Sequence, residues 1–369
     1  MSTRTLLAPL LLVACHAGGH AGDTHTHTHT DTDTDTDTDA DTDTDTDTDA
    51  PAPCQVLGDD LPDAGMSIWM TDPTDVWIVG ADGSADPGGP MMLHYDGNTW
   101  TDLEPGVSGK LQWLWSDGGD EIVAVGLGAQ VVRYSRSADT FTSEVIADTR
   151  YTLWGVWGPS ANDLWAAAGD GTGNLNGAIF HYDGTAWTLA YTAPSGQSYQ
   201  LFKVWGAAAD DVWAVGSIGL LVHYDGTSWT QVPQPNGLQT SMFTVHGTAE
   251  AAIAVGGFSN AVAWYHDGTG WAEDSPPPAT IAPNLVGTYT SETFGTVACG
   301  RTNAIWWRED ANVWTPDPRL PVPTLASWSF HACWVDPMGG VWAVGGNIDS
   351  PALDHGEIVY CGPETIHPL

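Results

Sequence analysis

Residues 204–216 read VWGAAADDVWAVG, and residues 222–230 read VHYDGTSWT. The first stretch places Trp205 and Trp213 on either side of a small, Asp-containing break. Aromatic and β-branched residues flanking such a break read as two short strands joined by a turn. In the second stretch Asp225 and Gly226 separate Tyr224 from Trp229. Gly tolerates positive φ and Asp accepts turn N–H bonds, so this step reads as a tight hairpin. Four strands follow: A carries Trp205, B carries Trp213, C ends at Tyr224 and D starts at Trp229. Val204 and Trp205 are adjacent and both large, which suits a strand covered on both faces.

The unit recurs along the chain. Its leading position falls at Trp69, Trp115, Trp157, Trp205, His246, Tyr289 and Trp334, at intervals of 46, 42, 48, 41, 43 and 45 residues. Trp pairs eight apart recur at 69/77, 157/165, 205/213 and 334/342, and Trp115 faces Val123 at the same distance. An Asp precedes Trp by four at 96/100, 183/187, 225/229, 267/271 and 310/314. The second unit departs from this, with Tyr134, a two-residue insertion and Phe141 in place of Trp. Repeats of about this length with four short strands each, and with no long amphipathic helical pattern, predict an all-β seven-bladed β-propeller over residues 54–369. The last unit ends at Ile358–Cys361 with no Trp-led strand D, so the stretch Cys54–Leu61 is expected to supply the missing outer strand.

Apolar-x-Val-Gly followed by Tyr-Asp-x-x-x-Trp resembles the kelch repeat. The Asp-Gly-x-x-Trp turn is similar to the Asp-box hairpins of sialidase-type propellers. Both resemblances imply the propeller architecture. The kelch Gly-Gly pair occurs at Gly256–Gly257 and Gly345–Gly346, and the Ser that usually opens an Asp box is missing.

Arg4 and the apolar run Leu6–Ala14 form a leader (residues 1–14) too short to span a bilayer. It ends in Leu12, Val13, Ala14 and Cys15, which resembles the lipobox of bacterial lipoproteins. That resemblance implies a diacylated Cys15, cleavage after Ala14 and a stable membrane anchor. His16 in place of Asp favours the outer membrane by likeness to enterobacterial sorting. Residues 15–53 then read as a disordered tether. His25, His27 and His29 alternate with Thr, and DTDTDTDTDA occurs twice, at 31–40 and 41–50. Such a segment buries nothing that could offset the entropy of ordering it. Without fixed geometry its His and Asp are read as spacer rather than metal site.

Eleven of the 46 acidic residues and one of the nine basic ones precede residue 51, which leaves residues 51–369 with 35 acids, eight bases and a net charge of −27. That surface repels nucleic acid and argues against it as a partner. Besides Cys15, four cysteines remain, an even number suited to an oxidising compartment. Three pairings are possible. The repeat alignment selects Cys54 with Cys361, which leaves Cys299 and Cys333 either as a second pair or as buried free thiols.

No nucleophile, zinc-protease or phosphate-loop motif occurs, and the propeller's arginines form no sialidase-like constellation. His94, His181 and His223 each precede Tyr-Asp-Gly, a position repeated around the ring and hence structural. Fourteen of the twenty Trp stand at repeat positions, where burial is their role. Ligand contacts are expected where the repeat is interrupted. These are the long B–C connections 81–90, 169–176 and 345–356, and the non-repeat aromatics Trp113, Trp154, Phe202, Phe243 and Trp328. The sequence therefore predicts an exported, lipid-anchored, monomeric, non-catalytic module, with no cofactor or metal, that binds a protein or glycan. The alternatives are a glycan hydrolase or lyase working at the channel mouth, and a purely structural surface protein.

Overall fold

Twenty-eight strands, counted among the described residues, build seven separate four-stranded antiparallel sheets in the computed structural model. It describes residues 53–81, 89–170, 174–197, 199–237, 239–276, 284–320, 328–348 and 353–369. The leader, Cys15 and the tether to residue 52 lie outside the described residues, as do 82–88, 171–173 and 349–352 of the three long B–C connections.

After the closing strand β1 (Gln55–Leu61), blade 1 comprises β2 (Gly65–Met70), β3 (Val76–Gly80), β4 (Met92–Tyr95) and β5 (Trp100–Asp102). Blade 2 comprises β6 (Leu111–Trp115), β7 (Glu121–Gly126), β8 (Gln130–Ser135) and β9 (Thr140–Val145). Blade 3 runs through β10 (Thr152–Ser160), β11 (Asp163–Gly169), β12 (Ala178–Tyr182) and β13 (Trp187–Thr192). Blade 4 has β14 (Leu201–Ala208), β15 (Asp211–Gly216), β16 (Leu221–Tyr224) and β17 (Trp229–Gln231). In blade 5 these are β18 (Met242–Gly247), β19 (Ala252–Gly256), β20 (Val262–His266) and β21 (Trp271–Glu273). Blade 6 has β22 (Leu285–Ser291), β23 (Gly295–Gly300), β24 (Ala304–Asp310) and β25 (Val313–Pro316). Blade 7 holds β26 (Ser329–Val335), β27 (Val341–Gly346) and β28 (Gly356–Cys361).

The eight-residue Trp spacing has a simple cause. Trp69 faces Trp77, Trp157 faces Trp165, Trp205 faces Trp213 and Trp334 faces Trp342 directly across the A–B hairpins. The Asp-Gly turns form as the sequence implies. Oδ1 of Asp225 accepts the N–H groups of Thr227 and Ser228, each at 2.9 Å, and Gly226 takes φ +83°. Blade 2 absorbs its insertion by pairing Tyr134 with Phe141.

Each inner strand touches the next around the ring, from β2 through β6, β10, β14, β18 and β22 to β26 and back to β2. Closure is made by β1, which pairs antiparallel with β28 as the fourth strand of blade 7. A Cys54–Cys361 disulfide links the two ends. Of the two alternatives for the remaining cysteines, the free thiols are found and the second disulfide is not. Cys299 on β23 and Cys333 on β26 are buried free thiols within hydrogen-bonding reach of one another. Burial and the neighbouring Cys333 push the Cys299 thiol well above its ordinary range. Because exchange needs a thiolate, that environment suppresses oxidation.

Most large apolar side chains sit between blades rather than in one central core. Trp213, Val215, Leu221, Met242 and Val245, for example, form a cluster shared by blades 4 and 5.

Candidate functional site at the channel mouth

Every inner strand carries a β-bulge at the same place. In β14, Leu201 pairs with Gly216 and Lys203 with Val215, so Phe202 is the extra residue. The same step occurs in β2, β6, β10, β18, β22 and β26. The extra residues are Met66, Gln112, Trp154, Phe202, Phe243, Val286 and His331, near the end of the channel where strands A begin and strands B finish. A bulge re-aims side chains, and here it turns neighbouring ones toward each other. Trp154 meets Phe202 edge to face at 6.1 Å between ring centroids, Phe202 meets Phe243 at 5.9 Å, and Phe243 meets Phe258 at 5.7 Å. The row crosses blades 3, 4 and 5 and ends at Phe258, which is 66% exposed. Opposite it, Nδ1 of His331 bonds the Met66 carbonyl and ties blade 7 to blade 1.

Three of the five aromatics expected at this face are therefore adjacent: Trp154, Phe202 and Phe243. Trp113 is not in the row. It stands one residue past the bulge of β6, and the Lys203 ammonium lies 4.0 Å above its ring. Trp328 precedes β26 and contacts His355 at 6.2 Å, away from the row. Phe258 belongs to the row but escaped the sequence reading, because it follows strand B of its blade rather than preceding strand A.

Lys203 is a buried cation held between blades 2 and 3. It is 5% exposed, and its Nζ donates to the Trp154 carbonyl at 2.8 Å. Burial lowers its pKa to about 7. Glycine at 155 leaves the space for it, since a Cβ there would come within 3.0 Å of the Lys203 Cα and Cδ. Two buried polar atoms at the bulge positions of β6 and β10, Gln112 Oε1 and Trp154 Nε1, have no hydrogen-bond partner. Burial, with the Lys203 charge adding to it, pushes His331 down to about 3.

At the opposite end of the channel several of the leading residues pack ring against ring. Tyr289 lies 4.4 Å from His246 and 4.1 Å from Trp334, while Trp334 meets Trp69 at 6.4 Å. Burial pushes His246 down to about 3 and Tyr289 up to about 12. These side chains are structural packing.

The histidines before Tyr-Asp-Gly are equally structural. His94, His181 and His223 each stack on the strand-B Trp of their blade at 4.0 Å. Each also bonds the carboxylate two residues before that Trp, Asp75 at 3.0 Å and Asp163 and Asp211 at 2.7 Å. Blade 2 replaces all three members together, and Arg133 pairs with Glu121 at 2.6 Å beside Val123. In blade 1 burial raises the Asp75 carboxyl, but hydrogen bonds from His94, Trp77 and Arg136 outweigh it and leave the pKa far below normal. Blades 5 and 6 have Ala251 and Gly295 where the carboxylate would stand, and a cavity of about 760 Å³ opens between those blades.

A cavity of about 1280 Å³ stands apart from the aromatic row. It lies at the rim of blade 1 between Leu61, Leu93, Trp100, Leu103 and the C-terminal His367. There burial and Glu104 push the Asp102 carboxyl up. Among the described residues no cluster of three or more His, Cys, Asp or Glu could hold a metal. The arginines do not converge. Arg133, Arg136, Arg150, Arg308 and Arg319 each pair with a carboxylate of their own surroundings.

No family model and no curated protein matches the chain. Solved structures do. The WD40 repeats of RRP9 superpose with a TM-score of 0.61 at 9% identity over 84% of this chain and 98% of that one. YCF48 from Cyanidioschyzon merolae gives 0.60 at 13%, over 85% of this chain and 100% of that one. A streptogramin B lyase gives 0.58 at 14%, over 83% and 96%. At such identities the likeness is one of fold, and by fold the chain is a seven-bladed β-propeller of four-stranded blades.

Proposed function

We propose that this chain is an exported, lipid-anchored binding module that holds a protein or glycan partner at the mouth of its propeller channel. The observation that carries this reading is the aromatic row Trp154–Phe202–Phe243–Phe258, which ends in a Phe that is 66% exposed. Contiguous apolar surface on an otherwise acidic domain is where a partner gains most from excluding water. The lipobox-like leader and Asp-rich tether support display away from a membrane, with the outer membrane favoured by His16. The Asp225-type turns, whose carboxylates accept two successive N–H groups, support the kinship with Asp-box and kelch propellers.

Site-specific photo-crosslinking in cells tests the reading. A benzophenone side chain at Phe258 should capture a discrete partner, while the same group at Leu189, which is 59% exposed on blade 3, should not. Equal labelling from both positions, or none from either, would overturn it.

A further inference from the structure

We propose that the cavity at the seam between blade 7 and blade 1 holds a short peptide segment in which a lysine or arginine is flanked by apolar residues, with its cation at Asp102 and Glu104 and against the Trp100 ring. The site is separate from the channel mouth and does not depend on a partner binding there.

The cavity, about 1280 Å³, exists because the ring has closed. Its walls come from both ends of the folded chain and from blade 1: Leu61 at the end of β1, Leu93 on β4, Leu103 and Val107 after β5, and His367 in the C-terminal segment. That segment is tied down across the seam. The Leu369 N–H donates to the Leu57 carbonyl at 2.7 Å, the His367 N–H to the Tyr95 hydroxyl at 3.4 Å, and the Trp100 indole N–H to the His367 carbonyl at 3.0 Å. Trp100 also packs on Tyr95 at 4.9 Å between ring centroids, so its half-buried ring is held on the wall.

The walls are largely apolar, and their carboxylates are unmatched by lysine or arginine. Asp63, Asp102 and Glu104 line the cavity, and no Lys or Arg does. Asp102 and Glu104 are exposed, so a ligand reaches them from solvent. Partial burial and the Glu104 charge push the Asp102 carboxyl up, against one backbone hydrogen bond at Met92. A cation placed there relieves that repulsion and gains from the indole face, while Leu61, Leu93, Leu103 and Val107 take up apolar area. Size decides between a peptide and a free amine. Small-molecule sites run roughly 300–1,000 Å³, so this cavity has room for several residues. The domain's net charge of −27 attracts basic peptides everywhere on its surface, so the same charge loss at another cavity is the necessary control.

Calorimetry on the full-length chain with acetyl-Ala-Leu-Lys-Leu-Ala-amide tests this. The peptide should bind at least tenfold more tightly than its counterpart with glutamine in place of lysine. Asp102→Asn combined with Glu104→Gln should abolish that preference while the urea midpoint stays level or rises. Glu292→Gln combined with Glu309→Gln removes the same charge from exposed side chains at the cavity between blades 5 and 6, and should leave binding unchanged. Equal binding of the two peptides, or no binding of either, would overturn the proposal. An equal loss in both double variants would overturn it in favour of attraction to the acidic surface as a whole. n-Butylamine binding as tightly as the peptide would overturn it in favour of a free amine.

Discussion

The imidazole of His223 lies flat against the indole of Trp213, with ring centroids 4.0 Å apart and planes 22° from parallel. Nε2 of the same ring meets the Asp211 carboxylate at 2.7 Å. One side chain thus joins strand C to strand B and to the turn that opens it. The arrangement recurs in blades 1 and 3 and is replaced as a set in blade 2.

Two stability consequences follow from that contact. Trp213, 6% exposed, also packs against His266 and Trp271 of the next blade, so Trp213→Ala should cost about 3–5 kcal/mol. The Asp211–His223 pair is partly exposed, with side chains 45% and 25% accessible, so a cycle of Asp211→Asn and His223→Phe should give a coupling of only about 0.5–1 kcal/mol. Urea titrations check both values. An unchanged midpoint for Trp213→Ala would place that ring outside the core.

Acid should destabilise the propeller earlier than its carboxylates alone require. His246 and His331 titrate near 3 in the folded state against an ordinary 6.5. Between those values the unfolded chain binds the extra protons, so stability falls as pH drops from 6.5 toward 3. Lys203 acts in a higher window. Its folded value of about 7 against 10.5 means that stability falls from pH 10.5 to 7 and is flat in this contribution below that. Denaturation midpoints measured against pH should lose the His331 share of the acid slope in His331→Phe, with the His246 share remaining, and the alkaline slope in Lys203→Met. Slopes identical to the parent's would show that neither group titrates as its burial dictates.

The Cys54–Cys361 bond spans 307 residues of chain. Chain entropy puts its contribution at ~5 kcal/mol, an upper figure because measured values follow loop length weakly. The double Ser variant should unfold at markedly lower urea, while the parent should lose the same amount on reduction. Alkylation of native protein should spare Cys299 and Cys333, which are buried, and label both after unfolding. Peptide mapping that recovers Cys299 linked to Cys333 would contradict the reduced pair.

Cys15 is the acceptor in the proposed lipid anchor. Cys15→Ser should leave the leader uncleaved by the lipoprotein peptidase and the protein without acyl chains. Fractionation after a high-salt wash checks this, and retention of the variant with membranes would remove the anchor.

Much of this architecture was written in the order of residues. The recurrence from Trp69 to Trp334 fixed the number of blades, since each unit is a local meander whose turns are set by Asp-Gly steps. The missing strand D after Cys361 pointed to Cys54–Leu61 because a ring leaves no free edge. The bulges are another matter, although they left a trace. Leu201 and Val204, like Leu153 and Val156 or Leu285 and Thr288, are buried three residues apart, out of step with a period of two.

What the sequence by itself determined is everything that depends on neighbours along the chain: hairpins, blade count, the partner of each strand and the repetition that marks His94, His181 and His223 as structural. What only the tertiary structure decided is what seven separate strands bring to one axis. Lys203, Trp113, Trp154, Gln112 and His331 come from four blades and share no motif. Whether a Lys is exposed or sealed against a carbonyl depends on a bulge and on the missing Cβ of Gly155 one blade away. Those relations exist once the ring has closed, because closure and not periodicity sets which side chains face each other across the channel.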